Sequence, residues 1–177
     1  MGLPGGLILH VTGVGCDELN ERNLMPVRKL KEFLDSQNVK YVSVVHSRAF
    51  TAQEVAESAH LPGRNMAKVV IVELDGTLAM CVLPADRKVV LQDLRNVTGS
   101  NMVRFAWEKD FKARFPDCEI GAMPPFGNLY EMEVYVAESL AENDEIAFNA
   151  GSHEEIIKLA YHDFERLVQP KVLNFTT

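Results

Sequence analysis

The sequence predicts one domain of the α+β class with a mixed β-sheet, and three observations lead to this prediction. First, 177 residues, 47% of them hydrophobic, can bury one substantial core but are few for two. Second, two apolar, β-branched segments at 66–74 and 77–83 are joined by Asp75-Gly76, which tolerates the positive φ angles of a tight hairpin. Third, helix-like and strand-like patterns alternate along the chain without a regular repeat.

The compact domain is expected to begin near residue 25. Met25-Pro26 opens an amphipathic pattern with Val27, Leu30 and Leu34 at helical spacing, whereas residues 1–24 have weak periodicity. We therefore interpret residues 1–24 as a weakly structured extension, with a short strand at 6–11 as the alternative, and residues 25–177 as the single domain.

Local signals predict the other elements. A strand at 40–45 precedes Thr51 and Glu54, whose spacing is typical of a capping box and starts a helix at Ala52. A second capping-box pattern, Ser152 to Glu155, predicts a C-terminal helix with Ile156, Leu159 and Ala160 on one face. Between them the sequence predicts a helix at 91–97 ended by Gly99, a strand at 102–105, a helix at 107–115 ended by Pro116, and strands at 131–136 and 145–149.

Composition excludes several classes of protein. A net charge of −7 argues against a protein that grips DNA or other nucleic acid over a broad face. No apolar run approaches the roughly 20 residues of a membrane span, and Met1 to Gly15 lacks the features of a secretory signal. We therefore expect a cytoplasmic protein without a membrane partner. Cys16, Cys81 and Cys118 are odd in number and widely spaced, as expected for reduced thiols.

Two features of the sequence could carry chemistry. Lys68 interrupts the otherwise apolar segment 67–72, where it could anchor an anion or act as a base if its charge is poorly solvated. An edge-strand lysine that reaches solvent is the alternative. The loop 121–127 contains two glycines and two prolines, which exclude a helix and fix its shape. Its backbone could hold a ligand closely, or it could be a compact turn between strands.

Taken in order, these segments resemble a known family. Residues 46–57, Ala67-Lys68, the hairpin that ends in Pro84, and Gly121-x-x-x-Pro125-Phe126-Gly127 are similar to the YbaK-type aminoacyl-tRNA deacylases. That family includes the editing domain inserted in bacterial prolyl-tRNA synthetases, and the resemblance covers roughly residues 26–170. It implies a mixed, strongly curved, barrel-like sheet with flanking helices, and a pocket between the lysine strand and the glycine-proline loop.

The resemblance also implies an activity, trans-acting hydrolysis of mischarged aminoacyl-tRNA that carries a small amino acid, with no cofactor. Loop amides would hold the ester carbonyl, and the Lys68 ammonium would fix the phosphate or ribose of the acceptor end. Pro124 fills a variable position of the loop and removes a backbone donor, which leaves substrate choice open. The implied catalytic positions are Lys68, Gly121 and Pro125, and the candidate pocket walls are His46, Phe50, Thr51, Met123, Phe126, Gly127 and Ser152.

The expected partner is the acceptor end of aminoacyl-tRNA, and a synthetase or elongation factor could supply affinity that the acidic chain lacks. A favourable rim would require that basic residues gather near the pocket: Arg64, Lys68, Arg87, Lys88 and Arg95. Scattered, solvated charge is the alternative.

Other classes of function remain as alternatives. A cysteine hydrolase is disfavoured because Cys81 lies in an apolar strand. A zinc enzyme is disfavoured because the histidines, His10, His46, His60, His153 and His162, show no recognised ligand spacing. The main alternative is a non-catalytic module of the same fold that binds tRNA, a synthetase or an amino-acid-like ligand.

Overall fold

A computed structural model describes residues 28–49, 51–58 and 60–177. The predicted extension at 1–24 and the start of the first helix lie outside these residues. The described residues form an eight-stranded mixed sheet with six α-helices, which confirms the predicted α+β class. None of the helices in this part of the chain has the length and apolar character that a membrane span needs.

The strands are β1 (Tyr41–Val45), β2 (Met66–Leu74), β3 (Thr77–Pro84), β4 (Val103–Phe105), β5 (Glu133–Ala137), β6 (Glu145–Asn149), β7 (Glu155–Ala160) and β8 (Lys171–Leu173). The α-helices are α1 (28–36), α2 (Ala52–Ser58), α3 (Leu91–Thr98), α4 (Glu108–Phe111), α5 (Glu138–Ala141) and α6 (Tyr161–Val168). Short 3₁₀ turns at Lys112–Arg114 and Gly127–Tyr130 complete the regular structure, the first of them extending α4 towards the predicted end at Pro116.

The predicted hairpin is present, formed by β2 and β3, and it lies at the centre of the sheet. Its register runs from Ala67 opposite Pro84 to Leu74 opposite Thr77, and the turn residues Asp75 and Gly76 both have positive φ, 48° and 86°. Because both central residues of the turn are left-handed, its twist matches that of the flanking strands. The hairpin therefore supplies a rigid platform on which the other strands assemble.

The edge of β2 that faces away from β3 pairs with two strands. Met66 and Ala67 pair in parallel with β6, whereas Val72 to Leu74 pair antiparallel with β4. The full path is β1-β7-β6-β2-β3-β5-β8, so β1 and β8 occupy opposite ends and the sheet is open along this path. The mixture of parallel and antiparallel pairs confirms the mixed sheet.

Apolar residues cover both faces of the sheet. The main core contains Phe148 of β6 together with Leu30 of α1 and Phe164 of α6. Ala147, the neighbour of Phe148, points to the other face, where it packs in a smaller cluster with Val55 of α2. That second face carries the candidate site.

The C-terminal helix predicted from Ser152 is wrong. Residues 155–160 form strand β7, which pairs with both β1 and β6, and the helix begins only at Tyr161. Ile156 packs on one face and Ile157 on the other, a pattern that a strand buried on both faces shares with a helix. Because residues 155–160 pair with a strand on each edge, they form a strand rather than a helix. Ser152 Oγ accepts only a long hydrogen bond, 3.4 Å, from the N–H of Glu154.

The first capping box is confirmed. The N–H of Glu54 donates to Thr51 Oγ1 at 3.1 Å, and the N–H of Thr51 donates to Glu54 Oε2 at 2.9 Å. These reciprocal bonds start α2 at Ala52, where the sequence predicted it.

Candidate active site

Lys68 stands beside the carboxyl end of β6. The parallel ladder between β2 and β6 consists of Met66 with Ala147 and Ala67 with Phe148, so Lys68 and Asn149 each follow directly after its last pair. Because side chains alternate along a strand, Lys68 and Asn149 share the face of Met66 and Ala147. Lys68 Nζ donates to the carbonyl oxygen of Ala85 at 3.0 Å. Lys68 pairs with Leu83 of β3, whereas on its other side it lies in the gap between the pairs with β6, which end at Ala67, and those with β4, which begin at Val72.

The charge of Lys68 is incompletely solvated. Burial lowers the pKa of Lys68, the Asp86 carboxylate opposes that shift, and the nearby Lys88 ammonium adds to it. Burial disfavours the charged form of a lysine unless an opposite charge or hydrogen-bond acceptors compensate. An anionic or strongly polar ligand would therefore be attracted to this ammonium.

The loop 121–127 approaches the same end of β6. The N–H of Gly151 donates to the carbonyl of Ala122 at 2.8 Å, and the N–H of Glu119 donates to the carbonyl of Gly151 at 2.9 Å. Gly151 is two residues beyond Asn149.

Gly121 begins this loop with an exposed, left-handed backbone (φ 87°). Nε2 of the buried His153 donates to the carbonyl of Ile120 at 3.0 Å, and that carbonyl shares a peptide plane with the N–H of Gly121. The imidazole thereby fixes this plane, with the Gly121 N–H directed away from the ring. Among the described residues, no acceptor takes the N–H of Gly121 or Met123. Gly121 is exposed, so its N–H is open to a ligand, whereas Met123 is buried.

The rest of the loop points into the core. Phe126 is fully buried, and its ring lies 5.5 Å from that of Phe148 and 5.6 Å from that of Phe164. A Cβ on Gly127 would lie 2.5 Å from Cγ2 of Val134, so only glycine fits there. Met123, Pro124 and Pro125 are also buried. These residues anchor the loop and leave Gly121 at the surface.

The segment 46–49 covers the sheet face that carries Lys68. The N–H of His46 donates to the carbonyl of Glu154 at 2.9 Å, and the N–H of Ala49 donates to that of His153 at 3.2 Å. Ala49 packs in the cluster that contains Ala147. His46 Nε2 is buried without a hydrogen-bond partner among the described residues. This segment therefore forms one wall of the region between Lys68 and the loop.

Three predicted wall positions remain: Thr51, Phe50 and Ser152. Thr51 is exposed and caps α2, and Phe50 lies outside the described residues. Ser152, although it starts no helix, follows Gly151 and so lies next to the loop contact.

Of the basic residues that a favourable rim would require, three lie near Lys68 or near Asp86, whose carboxylate influences the pKa of Lys68. Lys88 influences the pKa of Lys68, while Arg64 and Arg87 line a cleft of about 510 Å³ together with Asp86. The same cleft carries further acidic residues, Glu142, Asp144 and Glu145. Within the described chain, no contact joins Arg95 to this group. These basic residues therefore lie close together, but acidic side chains in the same cleft offset their charge.

Other chemistry finds little support in the described residues. They contain no group of three histidine, cysteine or acidic side chains arranged to hold a metal ion. Cys81 is fully buried, and burial raises the pKa of its thiol to about 12, so it is not a nucleophile at neutral pH.

Comparison with known proteins identifies the type of domain. A family model described as an aminoacyl-tRNA editing domain matches residues 46–167. The multifunctional Ser/Thr-tRNA deacylase ProXp-y of Escherichia coli strain K12 is 26% identical over 153 residues, which cover 84% of this chain and 91% of that protein.

Solved structures share the fold at low sequence identity. One described as a candidate trans-editing enzyme for prolyl tRNA synthetase is 17% identical, with a TM-score of 0.74 over 86% of this chain and 97% of that one. The hypothetical protein APE2540 is 15% identical, with a TM-score of 0.76 over 84% of this chain and 99% of that one.

Proposed function

Because the chain belongs to the aminoacyl-tRNA editing domain family, we propose that it hydrolyses the ester bond of mischarged aminoacyl-tRNA in trans and so protects the fidelity of translation. The observation that carries the proposal is the junction at the carboxyl end of β6. There, the poorly solvated ammonium of Lys68 and the available amide of Gly121 flank one strand end.

Ester hydrolysis requires a stabilised oxyanion and an accurately placed acyl carbon. In the proposed mechanism, the N–H groups of Gly121 and Met123 receive the carbonyl oxygen as it gains negative charge. Lys68 binds the phosphate or ribose of the acceptor end as an ammonium, and a ribose hydroxyl helps to direct the attacking water. Pro125 contributes by fixing the loop, because its buried ring restricts the backbone. No side-chain nucleophile is needed.

The proposed cargo is a small amino acid. Ala49 and Ala147 are buried in one packed cluster on the face that carries Lys68, so this face has little open volume for a long side chain. The Escherichia coli relative is named as a Ser/Thr-tRNA deacylase. We therefore propose seryl- and threonyl-tRNA as substrates.

The pocket also requires a strongly curved, barrel-like sheet, and the division of one β2 edge between β6 and β4 supports such curvature.

The proposed partners follow from the charge. Because the net charge is −7 and the basic residues near Lys68 are opposed by acidic ones, tRNA binding by this chain alone should be weak and sensitive to salt. We propose that a synthetase or elongation factor presents the substrate to the domain formed by residues 25–177. The proposed location is the cytoplasm, where aminoacyl-tRNA is made and used.

The experiment that tests the proposal is a panel of alanyl-, seryl-, cysteinyl- and threonyl-tRNA incubated with the purified protein. We expect release of at least one amino acid, and loss of that activity in Lys68→Ala. Lys171→Ala, which removes a strand lysine at the far end of the sheet, is the matched control and should retain activity. Failure to deacylate any substrate would leave the chain as a binding module.

A further inference from the structure

Asn149 is a buried polar residue whose side-chain oxygen has no partner. It is 7% exposed, and Oδ1 makes no hydrogen bond among the described residues. Among all the described residues, only one other buried residue, His153, is polar or charged, and its ring donates a hydrogen bond to the carbonyl of Ile120. Sequence analysis assigned no role to Asn149.

An unpartnered amide is costly in this position. Transferring an amide oxygen out of water without a replacement hydrogen bond destabilises the folded protein, whereas an apolar side chain of the same shape would not. Ile156, with which it pairs, and Ala147, two residues before it, are apolar, and the Lys68 ammonium on the same face donates to the carbonyl of Ala85. Packing alone would therefore favour leucine at this position.

The location of Asn149 points to a ligand. Asn149 is the last residue of β6 and, like Lys68, directly follows the parallel ladder between β6 and β2. It also lies two residues before Gly151, whose N–H binds the loop. The segment 46–49 packs over this face through Ala49, and the second unpartnered atom of the region, His46 Nε2, belongs to that segment. A ligand bound between the end of β6 and this segment would meet both atoms.

The chemistry of the missing donor follows from the surroundings. An ammonium group beside Asn149 would be repelled by Lys68, whose own charge is already poorly solvated. A neutral hydroxyl would not, and the residues of the nearby wall, Ala49 and Ala147, have short side chains. We propose that Asn149 Oδ1 accepts a hydrogen bond from the side-chain hydroxyl of the aminoacyl group, and thereby makes the site prefer seryl and threonyl over alanyl esters. This inference rests on the proposed deacylase function.

The test compares kcat/KM for seryl-tRNA and alanyl-tRNA in Asn149→Leu and Asn149→Ala. Loss of one neutral hydrogen bond predicts that the seryl-to-alanyl ratio falls about tenfold, with alanyl-tRNA hydrolysis largely retained. Ser139→Ala is the matched control, because Ser139 Oγ is also buried without a partner but lies on α5 at the cleft of Arg64 and Arg87. It should not change the ratio.

The outcomes separate this inference from the function on which it rests. If Asn149→Leu melts no lower than the unmodified protein and loses the seryl preference, the inference is supported. An unchanged ratio in a folded, active variant overturns it alone. Equal losses on both substrates also overturn it, because the donor would then be a ribose hydroxyl. Inactivity of the unmodified protein on the whole panel overturns both proposals.

Discussion

Replacing His153 by phenylalanine tests whether the loop amide at Gly121 must be held in place for catalysis. Phenylalanine preserves the shape of the buried ring but removes the Nε2 donor, so the 3.0 Å bond to the carbonyl of Ile120 is lost. The unpaired, partly buried carbonyl should cost about 1–3 kcal/mol of the free energy of unfolding. Urea denaturation measures that cost.

The catalytic effect should exceed what stability explains. Loss of one oxyanion donor typically lowers kcat about 10²–10³-fold. In His153→Phe the Gly121 N–H remains but its peptide plane is free to rotate, so we expect the lower end of that range. The assay is single-turnover deacylation of seryl-tRNA at a temperature where the variant is folded. His153→Gln retains a side-chain N–H donor and should recover part of the rate.

The control is His162→Phe, which changes a largely exposed histidine on α6, beyond strand β7. It should leave both the unfolding free energy and kcat unchanged. A His153→Phe protein that is destabilised as expected, yet keeps kcat within about threefold of the unmodified enzyme, would show that the imidazole is purely structural.

Three further changes have defined expected outcomes. Asp86→Asn should lower the pKa of Lys68 further in an NMR titration, since that carboxylate opposes the effect of burial. Because the pKa of Lys68 is lower in the folded protein than in the unfolded chain, the free energy of unfolding should rise with pH between the two pKa values. A raised pKa of Lys68 in this variant would contradict the assignment. Gly127→Ala should lower the free energy of unfolding by about 2 kcal/mol or more, measured in urea, because its Cβ would meet Val134 and a backbone oxygen at 2.8 Å. Phe126→Ala should cost about 3–5 kcal/mol, and unimpaired stability would show that the ring is not a core element.

Elements with strong local chemistry could be predicted from the sequence. The hairpin around Asp75-Gly76 and the capping box of Thr51 and Glu54 form where expected, because a left-handed turn and reciprocal amide bonds involve only neighbouring residues. Gly99 ends α3 for the same reason, with a φ of 71°. In these places local preference and tertiary structure agree.

The order of strands and the position of β7 could not be obtained in this way. Ser152 to Glu155 satisfies the spacing of a capping box, and Ile156 with Leu159 satisfies helical periodicity. Both signals are local, whereas β7 is stabilised by pairing with β1, more than a hundred residues earlier, and with β6. Such contacts leave no mark in a short sequence window.

The same misassigned segment contains the residues on which the proposed chemistry depends. A helix from Ser152 would have turned His153 into a first-turn residue and removed its bond to Ile120. The tight β6–β7 connection instead places Asn149, Gly151 and His153 around one strand end, facing the lysine and the loop. Under the proposed function, side chains in this connection serve the ligand rather than local structure, so a conflict between local pattern and fold is expected there. Asn149, which weakens the free protein by leaving an amide oxygen unpaired, is the clearest instance of that conflict.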